Sequence, residues 1–246
     1  MEENNKRKAV LEEEPSASER VPVLSAKQVK TALRCEYQYY LEYVLKKKPP
    51  LSSEALSKGL EVHEMASKPF ADGMTPEEMK MEADRGGVFR FVYHHLPKDS
   101  FPKIEPKIFV DFGYYKRVVI PDFLYNDRVY DLKTTSSVTA AKTLYSDDVI
   151  QLHYYWDTLG REHEAYVIKL LLPDESSGRS GYTSSLFRVN LSLVTLSLIY
   201  RTEMRILDIL EGSKPVPSPG KTCKFCGFRE ICPHSVSDNG ASAKTT

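Results

Sequence analysis

The chain has 246 residues, 41% of them hydrophobic and 28% charged, and 34 basic side chains balance 34 acidic ones to a formal net charge of +0. That length and balance suit a globular chain that buries a proper core, and one domain with appendages is expected. Bulk charge argues neither for nor against a nucleic-acid partner, so any such claim must rest on a site.

The arm of residues 1–22 is polar, charged and without apolar periodicity, and the tail of residues 235–246 reads the same way; both are expected to be disordered. No apolar run follows a basic start, and no segment approaches the length of a bilayer span, so a soluble intracellular protein with no membrane partner is expected. In a reducing compartment, four unevenly placed cysteines read as metal ligands or free thiols rather than a disulfide framework.

Between the appendages, Ser25 and Gln28 fit a capping box, and Val29, Leu33, Tyr37, Tyr40, Leu41 and Val44 recur at helical spacing up to Pro49-Pro50. A helix over 26–46, broken near Cys35, follows. Further helices are expected from Glu54 to Pro69 and after Thr75, where Thr-Pro-Glu-Glu reads as a start. The texture then turns to strands in PKIFVDFGYY, KRVVIPDFLY and RVYDLKTT, with Asn126-Asp127 as the tight turn of a hairpin between the last two. YSDDVIQLHYYWDTLGRE reads as a helix capped at Ser146 or Asp147, EAYVIKLLLP and SLFRVN as strands, and 191–211 as a long helix before the cysteine-bearing end. Helices on a mixed central sheet are the expected α/β assembly.

The hairpin carries the chemistry. Residues two apart on a strand share a face, so Asp131 and Lys133 point together while Leu132 turns to the core, and the partner strand brings Asp122 beside them. Two carboxylates at one spot repel unless a cation lies between them. Oxygen ligands suit Mg²⁺ or Mn²⁺, and a neighbouring lysine can orient or deprotonate water. By itself Asp-x-Lys on a strand is more often a solvated edge or a surface ion pair than a metal site. His63 lies four residues after Gly59 on a helix, and Gln151 and Tyr155 share a helix face where an amide and a phenol could meet a phosphate; packing is the plainer reading of each.

The order Gly-x3-His, Pro-Asp, Asp-x-Lys, Gln-x3-Tyr resembles the RecB-like branch of the PD-(D/E)XK nuclease superfamily. Cys35 with Cys223-x2-Cys226-x5-Cys232 narrows the likeness to its iron–sulfur subgroup, which includes CRISPR-adaptation nucleases, exonuclease V-type enzymes and the AddB nuclease domain. The resemblance spans about residues 24–234. It implies a nuclease domain over 23–234 with a restriction-endonuclease-like mixed sheet, its N-terminal helix and C-terminal cysteine loop joined by a metal cluster. It implies His63, Asp122 and Asp131 as side-chain ligands of Mg²⁺ or Mn²⁺, the Leu132 carbonyl as another, Lys133 as the catalytic lysine, and Gln151 and Tyr155 as its supports and DNA contacts. One departure is that Glu36 follows Cys35 where the family often has proline.

The activity implied is metal-dependent exonuclease action on DNA ends, single-stranded ends favoured, in recombination, repair, viral replication or CRISPR adaptation, alone or with a helicase, recombination or CRISPR-adaptation partner. The alternative is a catalytically silent DNA-binding or assembly subunit. Cys35, Cys223, Cys226 and Cys232 suit a [4Fe–4S] cluster; structural zinc is the rival, with His234 able to replace one thiol. Tyr37, Tyr39 and Tyr40 with Lys46, Lys47 and Lys48 could guide a single strand, but tyrosines at helical spacing more often pack a core.

Overall fold

The structure is a computed structural model that describes residues 9–11, 21–49 and 54–236. In chain order its elements are strands β1 (Ala9–Leu11) and β2 (Val23–Ser25), helices α1 (Ala26–Arg34) and α2 (Glu36–Tyr39), a π turn (Tyr40–Val44), and helices α3 (Glu54–Ala71), α4 (Pro76–Arg85) and α5 (Gly87–Tyr93). Strands β3 (Lys103–Ile104), β4 (Ile108–Asp111), β5 (Lys116–Val119), β6 (Phe123–Leu124) and β7 (Arg128–Thr135) follow. The chain continues through α6 (Val138–Ala141), α7 (Ser146–Thr158), β8 (Glu164–Leu171), β9 (Thr183–Arg188) and α8 (Leu193–Leu210), and a 3₁₀ turn at Lys221–Phe225 opens the cysteine loop.

Local chemistry explains most boundaries. Ser25 and Gln28 close a reciprocal cap, the Gln28 amide donating to Ser25 Oγ at 3.4 Å and the Ser25 amide to Gln28 Oε1 at 2.8 Å. The expected break falls at Cys35, which is extended at φ −167°, ψ 115° and so ends α1 before α2 begins. Thr75 and Glu78 make the second reciprocal cap, with Pro76 in the first turn. The cap of α7 lies one residue ahead of the expected Ser146 or Asp147: Tyr145 is the N-cap, and its amide donates to Asp148 Oδ2 at 3.2 Å. Neither side chain is needed there because Asp148 reaches back from the first turn.

Two mixed sheets replace the one central sheet expected. The first has the order β1-β4-β5-β2 and the second β3-β6-β7-β8-β9. Ala9–Leu11, inside the stretch expected to be disordered, forms a strand antiparallel to β4; the rest of residues 1–20, and residues 237–246 of the tail, lie outside the described residues. KRVVIPDFLY is also divided. Pro121 offers no amide to a ladder, and the chain leaves the first sheet after Val119 and enters the second at Phe123, so Asp122 sits at the crossing between them.

The second sheet separates two apolar layers. Alternation sends Val129 and Val167 toward α1, α7 and α8, and Leu132, Ile168 and Leu170 toward Val62 of α3 and Val92 of α5. Strands β7 and β8 run parallel, as their connection through α6 and α7 requires, with Lys133 beside Lys169. Among the described residues, no helix is long and apolar enough to cross a membrane.

Candidate active site

The expected hairpin forms between β6 and β7, with Phe123 opposite Tyr130 and Leu124 opposite Val129. Its turn is closed by the Tyr125 amide on the Arg128 carbonyl at 2.8 Å. Asp122, one residue before β6, accepts the Leu132 amide on Oδ2 at 2.5 Å, so the first carboxylate is tied to the backbone between Asp131 and Lys133. Leu132 is 1% exposed in the core, and Asp131 and Lys133 lie on the opposite face.

Asp131 is 2% exposed and contacted on both oxygens. Its Oδ2 lies 2.6 Å from Lys133 Nζ, an ion pair without hydrogen-bond alignment, and its Oδ1 accepts from Gln151 Nε2 at 2.6 Å. The Gln151 amide also donates to the Tyr155 hydroxyl at 2.8 Å, which donates to the Ile120 carbonyl at 3.1 Å, one residue from Pro121. The four-residue spacing of Gln151 and Tyr155 thus links β7 to the crossing between sheets. Tyr155 is buried in the core as well, in line with the plainer, packing reading of that residue.

His63 comes from α3. Its Nδ1 lies 3.0 Å from Asp122 Oδ1, an approach that needs α3 close to β7. Gly59, one turn earlier on the same face, supplies the clearance: a Cβ there would lie 3.3 Å from Thr134 Oγ1. That is the physical content of Gly-x3-His. Glu105, which sequence reasoning did not single out, completes a set with His63 and Asp122 whose donor atoms all lie within 4.8 Å of one another. Its φ of +44°, strained for a residue with a side chain, is fixed in part by its amide on the Asp122 carbonyl at 3.2 Å. Asp131 stands outside this set, turned to Lys133 and Gln151.

Burial opposes a charged His63, but the hydrogen bond and charge of Asp122 overcome it and hold the imidazole pKa above its ordinary value. Burial raises the Asp131 carboxyl against the pull of Lys133, and the Asp122 charge adds to the rise. Burial also works against the Lys133 ammonium, yet Asp131 raises it. The carboxylate oxygens of Asp122 and Glu105 match the ligands preferred by a hard divalent cation, and the His63 imidazole adds one nitrogen beside them.

Two further lysines line the Asp131 side. Lys169 pairs with Asp148 at 2.7 Å, and Lys30 of α1 donates to Gln151 Oε1 at 2.5 Å. Neither position carries a local signal, since each looks like an ordinary polar position on its own element. Only the pairing of β7 with β8 and the packing of α1 on α7 bring them in.

The four cysteines line one small cavity together with Arg34, Leu41 and Phe228, and all are half-buried free thiols. The Ser218 amide donates to Cys35 Sγ and the Gly220 amide to Cys223 Sγ, each at 3.4 Å. Burial pushes the Cys232 thiol up against an opposing backbone hydrogen bond at His234, and the other three sulfurs add to the rise. The His234 ring packs edge-on to Tyr37 at 4.8 Å. Glu36, the departure after Cys35, pairs with Arg205 at 3.1 Å and accepts the Val216 amide at 2.7 Å, anchoring the segment that leads to the loop. On the far side a Cβ at Gly227 would lie 2.7 Å from Pro49 Cβ. Tyr39 is 1% exposed and stacks on Tyr43, and Tyr40 packs against the core, so these two serve packing.

Residues 23–108, about a third of the chain, match the family model of the PD-(D/E)XK nuclease superfamily. The match includes His63 and Glu105 and ends before the hairpin. The fold is shared with the crystal structure of SSO0001, at 15% identity and a TM-score of 0.54 over 90% of this chain and 91% of that one. It is shared also with a Eubacterium rectale protein provisionally described as an exonuclease, at 14% identity and a TM-score of 0.52 over 85% of this chain and 87% of that one. Among proteins of curated function, none matches this sequence.

Proposed function

We propose that the chain is a metal-dependent deoxyribonuclease that removes nucleotides from DNA ends, single-stranded ends favoured. The observation that carries this reading is the hairpin bringing Asp122 to the Asp131-Leu132-Lys133 backbone while α3 delivers His63 to Asp122. His63, Asp122 and Glu105, whose donor atoms already cluster, would hold Mg²⁺ or Mn²⁺, with Asp131 and the Leu132 carbonyl completing the ligands from β7. The bound ion supplies positive charge that acidifies water and neutralises the scissile phosphate. Lys133, fixed by Asp131, positions the nucleophile, while Gln151 and Tyr155 set the orientation of the Asp131 carboxylate. The superfamily match over residues 23–108 supports the same reading.

Release of nucleotides from end-labelled single strands in Mn²⁺ tests it. Wild type releases them and Asp131→Ala does not; equal, negligible release by both leaves only a DNA-binding or assembly subunit. Strands labelled at either end, blocked or circular, test end dependence, since a circle cut as fast as a linear strand marks an endonuclease. Work in recombination, repair, viral replication or CRISPR adaptation, with a helicase or other DNA-processing partner, fits such an activity.

The thiol cavity is proposed as the seat of a [4Fe–4S] cluster that staples α1 to the C-terminal loop. Structural zinc ligands usually arrive as two close pairs, and Cys35 with Cys223-x2-Cys226-x5-Cys232 does not, which favours the iron–sulfur core. Protein purified without oxygen should be brown and contain iron and acid-labile sulfide; a colourless, zinc-loaded and active preparation overturns the cluster.

A further inference from the structure

Among the described residues, Lys30 has no carboxylate paired with it. It is half-buried on α1, and its ammonium donates to the neutral Gln151 amide oxygen. Three carboxylates lie within electrostatic reach, and each is engaged elsewhere: Asp131 with Lys133 at 2.6 Å, Asp148 with Lys169 at 2.7 Å, and Asp147 with Arg34 at 2.6 Å. Among the described residues, no carboxylate lies within ion-pair distance of Lys30 itself. An ammonium has three donors, and a partly desolvated one without a counter-ion is costly unless an anion arrives. Burial and then Lys133 lower its pKa, as that shortage of negative charge requires.

The place of this charge gives it meaning. The His63, Glu105 and Asp122 side of the site gathers negative donors suited to a cation. The opposite side gathers Lys30, Lys133 and Lys169 against Asp131 and Asp148, leaving one positive charge in surplus. A phosphodiester lying between a cation and an ammonium would satisfy both sides. The Gln151 contact also fixes the direction of the amide: with Oε1 on Lys30, Nε2 faces Asp131 and Tyr155.

We propose that Lys30 contacts substrate, its ammonium binding a nonbridging oxygen of a DNA backbone phosphate lying beside Asp131. The proposal rests on the nuclease reading and supplies the basic half of the site. It is tested by single-turnover cleavage of a short single strand in Mn²⁺ across a salt series, with wild type, Lys30→Gln, Lys30→Arg and Gln151→Ala. Equilibrium binding of the same strand with Ca²⁺ in place of Mn²⁺ is measured alongside. Loss of one phosphate contact to a single strand reduces the slope of log affinity against log salt by about 0.7. Lys30→Gln should show that reduction and an increase of about tenfold in half-saturating DNA, with the loss falling on saturation more than on maximal rate. Lys30→Arg should restore the slope. Gln151→Ala should lower the maximal rate and leave the slope in place.

An unchanged slope in Lys30→Gln overturns the proposal, whatever happens to the rate, because a lysine that only braced Gln151 would behave so. Melting temperatures near wild type for the glutamine and arginine variants show that both fold. If wild type cuts nothing, the nuclease reading falls, and the binding slopes in Ca²⁺ still decide whether Lys30 meets a phosphate.

Discussion

Helix α7 carries a cluster of buried charge at each end, and the two are built to opposite plans. Near its C-terminus Asp157 meets Arg117 of β5 at 2.6 Å, and the same guanidinium grips Glu203 of α8 at 2.6 and 2.7 Å. Tyr115 adds a hydroxyl to Glu203, Tyr200 and Arg161 add donors to Asp157, and the rings of Phe112, Tyr154 and Tyr200 lie 4.2–4.9 Å from the guanidinium carbon. Arg117 and Glu203 are 0% exposed. Near the N-terminal half Gln151 holds Asp131, but Lys133 is one-third exposed and His63 and Asp122 are only partly covered. A closed cluster with every charge matched serves the fold. An open one, with acid on one side and surplus base on the other, is the arrangement that the proposed cation and phosphate contacts need.

The largest effects should separate the two clusters cleanly. Arg117→Met strands two buried carboxylates, and breaking such a network costs about 3–5 kcal/mol. For a chain of this size that is a fall in melting temperature of about 6–20 °C, read by thermal denaturation. Asp131→Ala should leave the melting temperature within a few degrees yet reduce nucleotide release by about a thousandfold, near 4 kcal/mol of transition-state stabilisation. Equal damage to stability by both variants would erase the distinction. Lys133→Met sharpens it, with a comparable loss of rate and little loss of fold.

Gly59→Val stands between the clusters in size, because it moves a wall of the site without touching a charge. The added carbons meet Thr134 at 3.3 Å or less and press α3 away from β7, taking His63 off Asp122. Overpacking of this kind costs about 1–3 kcal/mol. Activity should fall more than tenfold and be partly recovered by raising Mn²⁺, whereas Thr134→Ser in the same protein should leave both properties near wild type.

The site was legible in sequence where its chemistry is local to one element. Asp131 and Lys133 share a face by strand geometry, Gln151 and Tyr155 by helix geometry, and the turn at Asn126-Asp127 brings Asp122 to Leu132. Lys30, Lys169 and Glu105 were not legible, because their places depend on how separate elements pack: α1 on α7, β8 on β7, and the strand end at Ile104 on β6. The division of the sheet in two was hidden for a related reason. Ile120-Pro121-Asp122 reads as the continuation of a strand, but the ladders of β5 with β2 and β4 and the burial of Arg117 against α7 and α8 hold β5 in the first sheet, while β6 pairs with β3 and β7 in the second. Cys35 was legible as a break but not as an anchored one; the role of Glu36 needed Arg205, which is far away in sequence.

The smallest effect expected is in acid, and it tests the closed cluster alone. Burial raises the Asp157 carboxyl, but the Tyr200 hydroxyl, Arg117 and Arg161 outweigh it and hold its pKa below the ordinary value. A carboxyl depressed on folding contributes stability that is complete above its unfolded pKa of about 3.9 and is lost as pH falls from there through the folded value. Melting temperature should therefore decline below about pH 4. Arg161 is partly exposed, with 42% of its side chain open to solvent, so Arg161→Gln should cost less than about 1 kcal/mol at neutral pH. The same change lets the folded pKa of Asp157 rise toward the unfolded one, and the acid decline becomes shallower than in wild type. Asp131 in the metal-free protein has the opposite sign, since its carboxyl is raised and its charge opposes folding. Parallel melting curves from pH 5 to 2.5 decide the matter: an acid limb of identical steepness in wild type and Arg161→Gln would mean that Asp157 is not held as the cluster geometry requires.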